Sequence, residues 1–323
     1  MQTKRTDIQV LRAIAIIAVV LIHTNSSDET GQIVIRPFVN FSVALFLFLS
    51  GYLTKLENSD WKSFCIKRVM RVFIPYAIWT VIYALFRGSI KRIPINLVTA
   101  GAAVPFYYIF VYIQFVLLTP LLVKLAKSRY RYYGFIISPV ALLLFNYPLA
   151  MTSIGTNQLF SHFTWLSCLS WFTFYYLGFL IGNHIINVHY SIKSLSVLLT
   201  ISIISQMIES YVWLKVGASN IGTQGKMTSL ITSIIVMLIV HVLLTERRIK
   251  TKNRFLLLTG DYSFGIYLIH PLVISLAFKY ALTYYEQIPY LVNTAIILLM
   301  CFLICHLGNK LLPSKASRWL GLS

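Results

Sequence analysis

Arg12 and His23 carry the strongest chemical suggestion in the chain. They are 11 positions apart, which on an α-helix is about three full turns and leaves them within about 20° of one face. Along the axis they stand about 16 Å apart. An imidazole titrates near neutral pH, so it can take a proton from a hydroxyl or carry a transferred group itself. A guanidinium presents a rigid fork of donors that suits phosphate or carboxylate. Arg68 and Arg71 form a second group, about 60° apart on a helix face. Two such forks fit a phosphate; anchoring to lipid headgroups is the competing reading. Ser263, Tyr267 and His270 form a third, at spacings of four and three that share a helix face just before Pro271. That trio can orient a carbonyl, or it can be a structural hydrogen-bonded cluster at a proline kink. Ser50-Gly51 closes an apolar run. The glycine permits close backbone approach, although a plain helix terminus has the same appearance.

The elements that must hold these groups are membrane helices. Of 323 residues, 58% are apolar and 11% charged, with a mean hydropathy of +0.75. A soluble chain carries about a quarter charged residues, so lipid and other helices are the solvent for most of this one. Crossing the hydrocarbon takes about 20 apolar residues. Apolar runs at 7–25, 37–54, 69–87, 104–124, 133–150, 166–186, 193–214, 227–245, 260–279 and 288–311 predict an all-α, polytopic transmembrane bundle of about ten spans. The chain, 1–323, is expected to form a single membrane domain. Lys4 and Arg5 before the first run resemble the start of a signal peptide, but no small-residue cleavage site follows, so an uncleaved anchor is expected.

Placing both termini in the cytoplasm puts 20 basic residues inside, among them Arg68, Arg71 and the Arg247–Arg254 block, and seven outside. That asymmetry sets the predicted orientation. The net charge of +19 is read as this topology signal together with attraction to anionic membrane lipid. Nucleic-acid binding is not expected, because no soluble domain carries a basic stripe. Cys65, Cys168, Cys301 and Cys305 form no Cys-x-x-Cys pair, so neither a disulfide framework nor a metal site is predicted. Glu209 is the one acid well inside a span; it is read as pairing with a base or, if the family resemblance described below holds, as touching the acceptor sugar. Asp261 is read as a helix-terminal carboxylate.

The motifs together resemble one family. Arg12-x10-His23 in the first span, Ala44-Leu-Phe-Leu-Phe-Leu-Ser-Gly-Tyr52 in the second and Lys67-Arg68-Val-Met-Arg71-Val-Phe-Ile-Pro75-Tyr76 at the third stand in the order and spacing of the acyltransferase-3 family of membrane O-acyltransferases. Tyr175-Tyr-Leu-Gly-Phe-Leu-Ile-Gly182 and Ser263-Phe-Gly-Ile-Tyr267-Leu-Ile-His270-Pro271 are similar to its sixth and ninth spans. Tyr107-Tyr108 departs from the Trp-aromatic pair common there, which implies altered packing or acceptor choice.

The resemblance implies transfer of a short acyl group, usually acetyl, from cytoplasmic acyl-CoA to a hydroxyl of a cell-envelope glycan or lipid-linked sugar. It implies a multi-pass protein of the bacterial cytoplasmic membrane. Acetyl-CoA would be the donor substrate, with no metal. His23 would be general base or acyl carrier. Arg12 would neutralise the CoA diphosphate or line the pantetheine path. Arg68, Arg71, Ser50, Gly51, Tyr267 and His270 would bind the donor. A homo-oligomer and a place in a glycan-synthesis complex are both compatible with it. A glycan exporter without acyl transfer is the alternative, since broken helices and buried charges serve transport as well.

Overall fold

The computed structural model describes residues 5–24, 29–57, 60–151, 158–285 and 289–322. Among them are ten helices long and apolar enough to cross a membrane, and no strand. The spans are Thr6–Thr24, Gly31–Tyr52, Trp61–Phe86, Ile90–Lys127, Arg131–Met151, Phe160–Gly182, Ile192–Lys215, Met227–Thr245, Ser263–Tyr280 and Tyr290–Leu311. All ten fall on the runs expected from hydropathy. The fourth differs most, beginning at Ile90, 14 residues before its apolar run, because the short helix Ile93–Thr99 precedes the helix Tyr107–Lys127. The third differs next. It begins at Trp61, eight residues before its apolar run, because helical hydrogen bonding continues through Lys62 and Lys67, where hydropathy gives no signal.

The chain divides into two compact units. The first comprises Met1–Ser26, Lys62–Ile113 and Thr251–Ser323. Its pillar is the first span, which packs against the short helix Arg254–Asp261 and against the ninth and tenth spans. Small and branched side chains make this close packing possible: Ala13, Ala15, Ile16 and Val20 have no exposed surface. Gly260 brings two backbones together, since a Cβ there would lie 2.0 Å from the carbonyl oxygen of Gln9. At the other end, the Thr24 and Thr294 hydroxyls bond at 2.5 Å, fixing the turn that carries His23. Elsewhere in the unit, buried polar tips reach backbone carbonyls. Tyr76 donates to Asn96 and Leu97, Tyr83 to Leu268, and the Trp79 indole to Leu320. In lipid an unpaired polar group is costly, so such bonds join helices.

The second unit comprises Ser27–Trp61 and Gln114–Lys250. Its tightest contact is between the second and sixth spans. Added Cβ atoms at Gly51, Gly178 and Gly182 would sit 2.0 Å from the Tyr175 carbonyl oxygen, 2.1 Å from that of Phe48 and 2.1 Å from that of Tyr52. Gly178-x-x-x-Gly182 is the small-residue spacing that lets transmembrane helices touch backbone to backbone. Tyr175 stacks on Phe115 at 4.6 Å between ring centres.

Candidate functional site

The first unit contains six of the eight residues to which the family resemblance assigns a catalytic or donor-binding role: Arg12, His23, Arg68, Arg71, Tyr267 and His270. Arg12 and His23 lie on one unbroken helix, Thr6–Thr24. Arg12 is exposed between the buried Leu11 and Ala13. Its electrostatic neighbours come from three other segments: Tyr108 and Tyr112 on the fourth span, Asp261, and Arg71 on the third. Asp261 ends the short helix Arg254–Asp261 instead of opening the ninth span, and its carboxylate accepts a hydrogen bond from the Gln9 side-chain amide at 2.8 Å. That bond ties the Asp261 charge to the helix that bears Arg12. Two cations, Arg12 and Arg71, are thus held within electrostatic reach of one another with one carboxylate near them. Coulomb repulsion makes that arrangement favourable to an anion.

Arg68 is half-buried and lies over the Phe64 ring, 4.7 Å from its centre, while Arg71 is exposed one turn on. Pro75, inside the same helix, leaves the Arg71 carbonyl without its usual backbone donor.

Near the far end of the first span, the His23 ring lies 5.2 Å from that of His270, tilted by 44°. His270 is fully buried. Its Nδ1 stands 3.1 Å from the carbonyl oxygen of Ile266 one turn back. Tyr267 is buried as well, and its hydroxyl donates to the Pro105 carbonyl at 2.5 Å. The Tyr267 ring meets Tyr108 edge-on at 5.8 Å and His270 at 6.3 Å. Ring contacts therefore link the His23–His270 pair through Tyr267 to Tyr108, which also interacts electrostatically with Arg12. Ser263 is buried at the start of the same span.

Ser50 and Gly51 belong to the second unit. The close approach that Gly51 permits is to the backbone of Tyr175 and Phe179, and the Ser50 carbonyl accepts the Thr54 hydroxyl at 2.7 Å.

Sequence reasoning gave too little weight to two residues. Tyr108 was visible only as half of an unusual aromatic pair; its position beside Arg12 depends on a fold contact with no local signature. Lys226 is one of the seven basic residues that the sequence places outside, yet it is fully buried in the second unit. Its ammonium donates to the Ser210 hydroxyl and to the Ile221 carbonyl, and it lies over the Trp213 ring. Burial pushes the Lys226 ammonium down from the usual lysine range to about 8, while the nearby Glu209 pulls it back up. Glu209 itself accepts the Tyr147 and Thr228 hydroxyls and the Thr228 backbone N–H. Lys226 is thus a base whose charge interacts with that of Glu209. A cleft of about 630 Å³ beside Glu209 is walled mainly by Met151, Ile208, Val212 and Val216. It lies in the second unit, with none of the six clustered residues in its walls.

Cys301 and Cys305 are buried, and the His306 Nδ1 meets the Tyr262 hydroxyl at 3.2 Å. Among the described residues no group of three or more His, Cys, Asp or Glu side chains is assembled as a metal site.

No curated protein and no solved structure matches the chain. The profile of the acyltransferase-3 family, described as an acyltransferase domain, matches residues 5–309. That stretch takes in every residue of the first-unit cluster and all but the last two residues of the tenth span. The chain therefore belongs to the acyltransferase-3 family and is a multi-pass membrane acyltransferase.

Proposed function

We propose that the protein moves an acetyl group from acetyl-CoA, bound from the cytoplasmic side of a bacterial membrane, to a hydroxyl of a cell-envelope glycan. The acceptor oxygen bonds to the thioester carbonyl carbon and the carbon–sulfur bond breaks. The hydroxyl proton ends on the CoA sulfur. His23 serves either as the base that holds that proton in transit or as the carrier that accepts the acetyl first and passes it on. Arg12 and Arg71, with Arg68 on the same helix as Arg71, receive the CoA phosphates. This orientation puts both termini in the cytoplasm and rests on the distribution of basic residues.

The observation that supports this reading best is the pairing along one helix. Arg12 sits with a second cation at one level. His23 sits against a second imidazole about three turns away. An anionic handle and a reactive group at the two ends of one pantetheine-length path need this separation.

The test is transfer of labelled acetyl from acetyl-CoA in membranes that contain a competent acceptor, comparing wild type with His23→Ala. Loss of a general base costs about 10²- to 10⁴-fold. Equal label in both proteins removes His23 from the chemistry. No label in either removes acetyl transfer and leaves glycan export as the function.

A further inference from the structure

Lys124, Lys127, Arg129 and Arg131 stand within eight positions, where the chain leaves the fourth span at Lys127 and enters the fifth at Arg131. The sequence has no Asp or Glu between Asp60 and Glu209, and among the described residues none of the four cations is paired with a carboxylate. Both lysines and Arg129 are exposed, and Arg131 is half-buried. Basic residues beside a span set topology, but that role asks nothing of their geometry.

Here the geometry is built. The Ser128 hydroxyl donates to the Leu125 carbonyl at 2.8 Å and accepts the Tyr130 N–H at 3.1 Å. The Arg131 Nε–H donates to the Ser128 carbonyl at 3.2 Å, and the Arg131 carbonyl accepts the Tyr176 hydroxyl at 2.9 Å. Arg129 donates to the Tyr130 hydroxyl and lies over that ring, 4.7 Å from its centre; the ring in turn stacks on Tyr133 at 5.8 Å. Each guanidinium commits one of its five N–H groups to the turn and keeps the others for a ligand.

The surroundings point to which ligand. Leu117 and Leu121 lead to Lys124 at spacings of four and three, and Ile136, Val140 and Leu143 follow the turn at the same spacings; all are exposed. On helices long and apolar enough to cross a membrane, such stripes face lipid chains. Tyr130, Tyr132 and Tyr133 are exposed between the two stripes in sequence, and tyrosine belongs to the headgroup level. Four cations without an acid, set among tyrosines and flanked by apolar stripes, complement an amphiphile with a phosphate head.

We propose that the turn Lys124–Arg131 is a binding site for an anionic phospholipid. The Arg129 and Arg131 forks and the two lysines take the phosphate, and the chains lie along the flanking stripes. The site is independent of which group the protein transfers.

The test is native mass spectrometry of the full chain, released from detergent micelles that hold phosphatidylglycerol and phosphatidylcholine in equal amounts. Wild type is expected to retain phosphatidylglycerol in preference, and the K124Q/K127Q/R129Q variant to bind it at least about tenfold more weakly. R247Q/R248Q/K250Q loses the same charge from an exposed block elsewhere and is expected to bind like wild type. Equal retention by wild type and the first variant overturns the proposal. Equal loss in both variants also overturns it, since net charge alone then accounts for the binding. Wild type by itself gives a second test that needs no folded variant: no preference for phosphatidylglycerol over phosphatidylcholine removes the site. Displacement of the lipid by inorganic phosphate at equal concentration would make it a site for free phosphate, and displacement by CoA would give the turn to the acyl donor; either result overturns the proposal and leaves the acyl-transfer reading untouched.

Discussion

Replacing Gly260 by alanine should damage both stability and turnover, because the added methyl has no space. An ideal Cβ there would lie 2.0 Å from the Gln9 carbonyl oxygen, 2.7 Å from its carbon and 3.0 Å from its Cα. All three are backbone atoms of the first span, so no side chain can rotate aside. Ordinary contact begins at 3.4 Å, so the helix Arg254–Asp261 must retreat by about 1.4 Å, an overpacking cost of about 1–3 kcal/mol. The same shift would open the 2.8 Å bond from Gln9 to Asp261 beyond hydrogen-bond range. A bond to a charged group contributes about 1.5–3 kcal/mol. A loss of about 3 kcal/mol corresponds to a fall in melting temperature on the order of 4–5 °C, readable by thermal unfolding in detergent. Turnover should fall by about 10²-fold, since Asp261 would move away from Arg12 by more than an ångström. Gly217→Ala is the control: φ is +71° there and nothing lies within 4 Å of the added carbon, so only left-handed backbone strain of about 1 kcal/mol applies. If G260A melts and turns over like wild type, or if G217A is the worse of the two, the packing argument is wrong.

Arg71→Ala should weaken CoA binding by about tenfold or more, the equivalent of one charge-assisted hydrogen bond, with a deficit that shrinks as salt rises; unchanged affinity in equilibrium binding would remove Arg71 from the donor site. Because Arg12 and Arg71 act on each other, the double alanine variant should lose less than the two single losses combined. Lys226 predicts a pH effect of definite sign. Its folded-state pKa, near 8, lies below the ordinary 10.5, so between those values the unfolded chain holds a proton that the folded protein lacks, and stability should rise with pH across that window, by a few kcal/mol at most. Melting temperatures measured from pH 7.5 to 10 should show this rise in wild type and lose most of it in Lys226→Met; parallel curves would mean that Lys226 stays charged throughout.

The spans were legible in the sequence because hydrocarbon imposes a strict rule on length and composition, and that rule is local. What hydropathy misses is equally physical. Lys62 and Lys67 continue the third helix beyond its apolar run because backbone hydrogen bonding does not require apolar side chains. The Arg12–His23 relation needed only helical geometry. The relation of His23 to His270 needed the packing of two spans some 250 positions apart, and periodicity holds no information on that. Lys226 failed as a reading for the opposite reason: a lysine just before an apolar span is normally interfacial. Its burial follows from Ser210, the Ile221 carbonyl and Trp213 closing around it, three partners that only the fold assembles.

The placement of Arg12 and His23 follows from how polar atoms survive at membrane depth. A charged or titratable side chain there must face protein or water, and the helix best protected from lipid is one surrounded by others. The first span is such a helix, with most of its residues buried and neighbours in Arg254–Asp261 and the ninth and tenth spans. A guanidinium and an imidazole on that helix meet partners from several segments at once: Tyr108, Asp261 and Arg71 at one end, His270 at the other. On the seventh span, where Ile201, Ile204 and Ile208 are exposed, most positions have no partners to offer. Its one acid, Glu209, survives by turning to Tyr147 and Thr228. If burial of the host helix decides where reactive groups can stand, moving the Arg–His pair to that exposed helix should abolish insertion or activity even with its spacing kept.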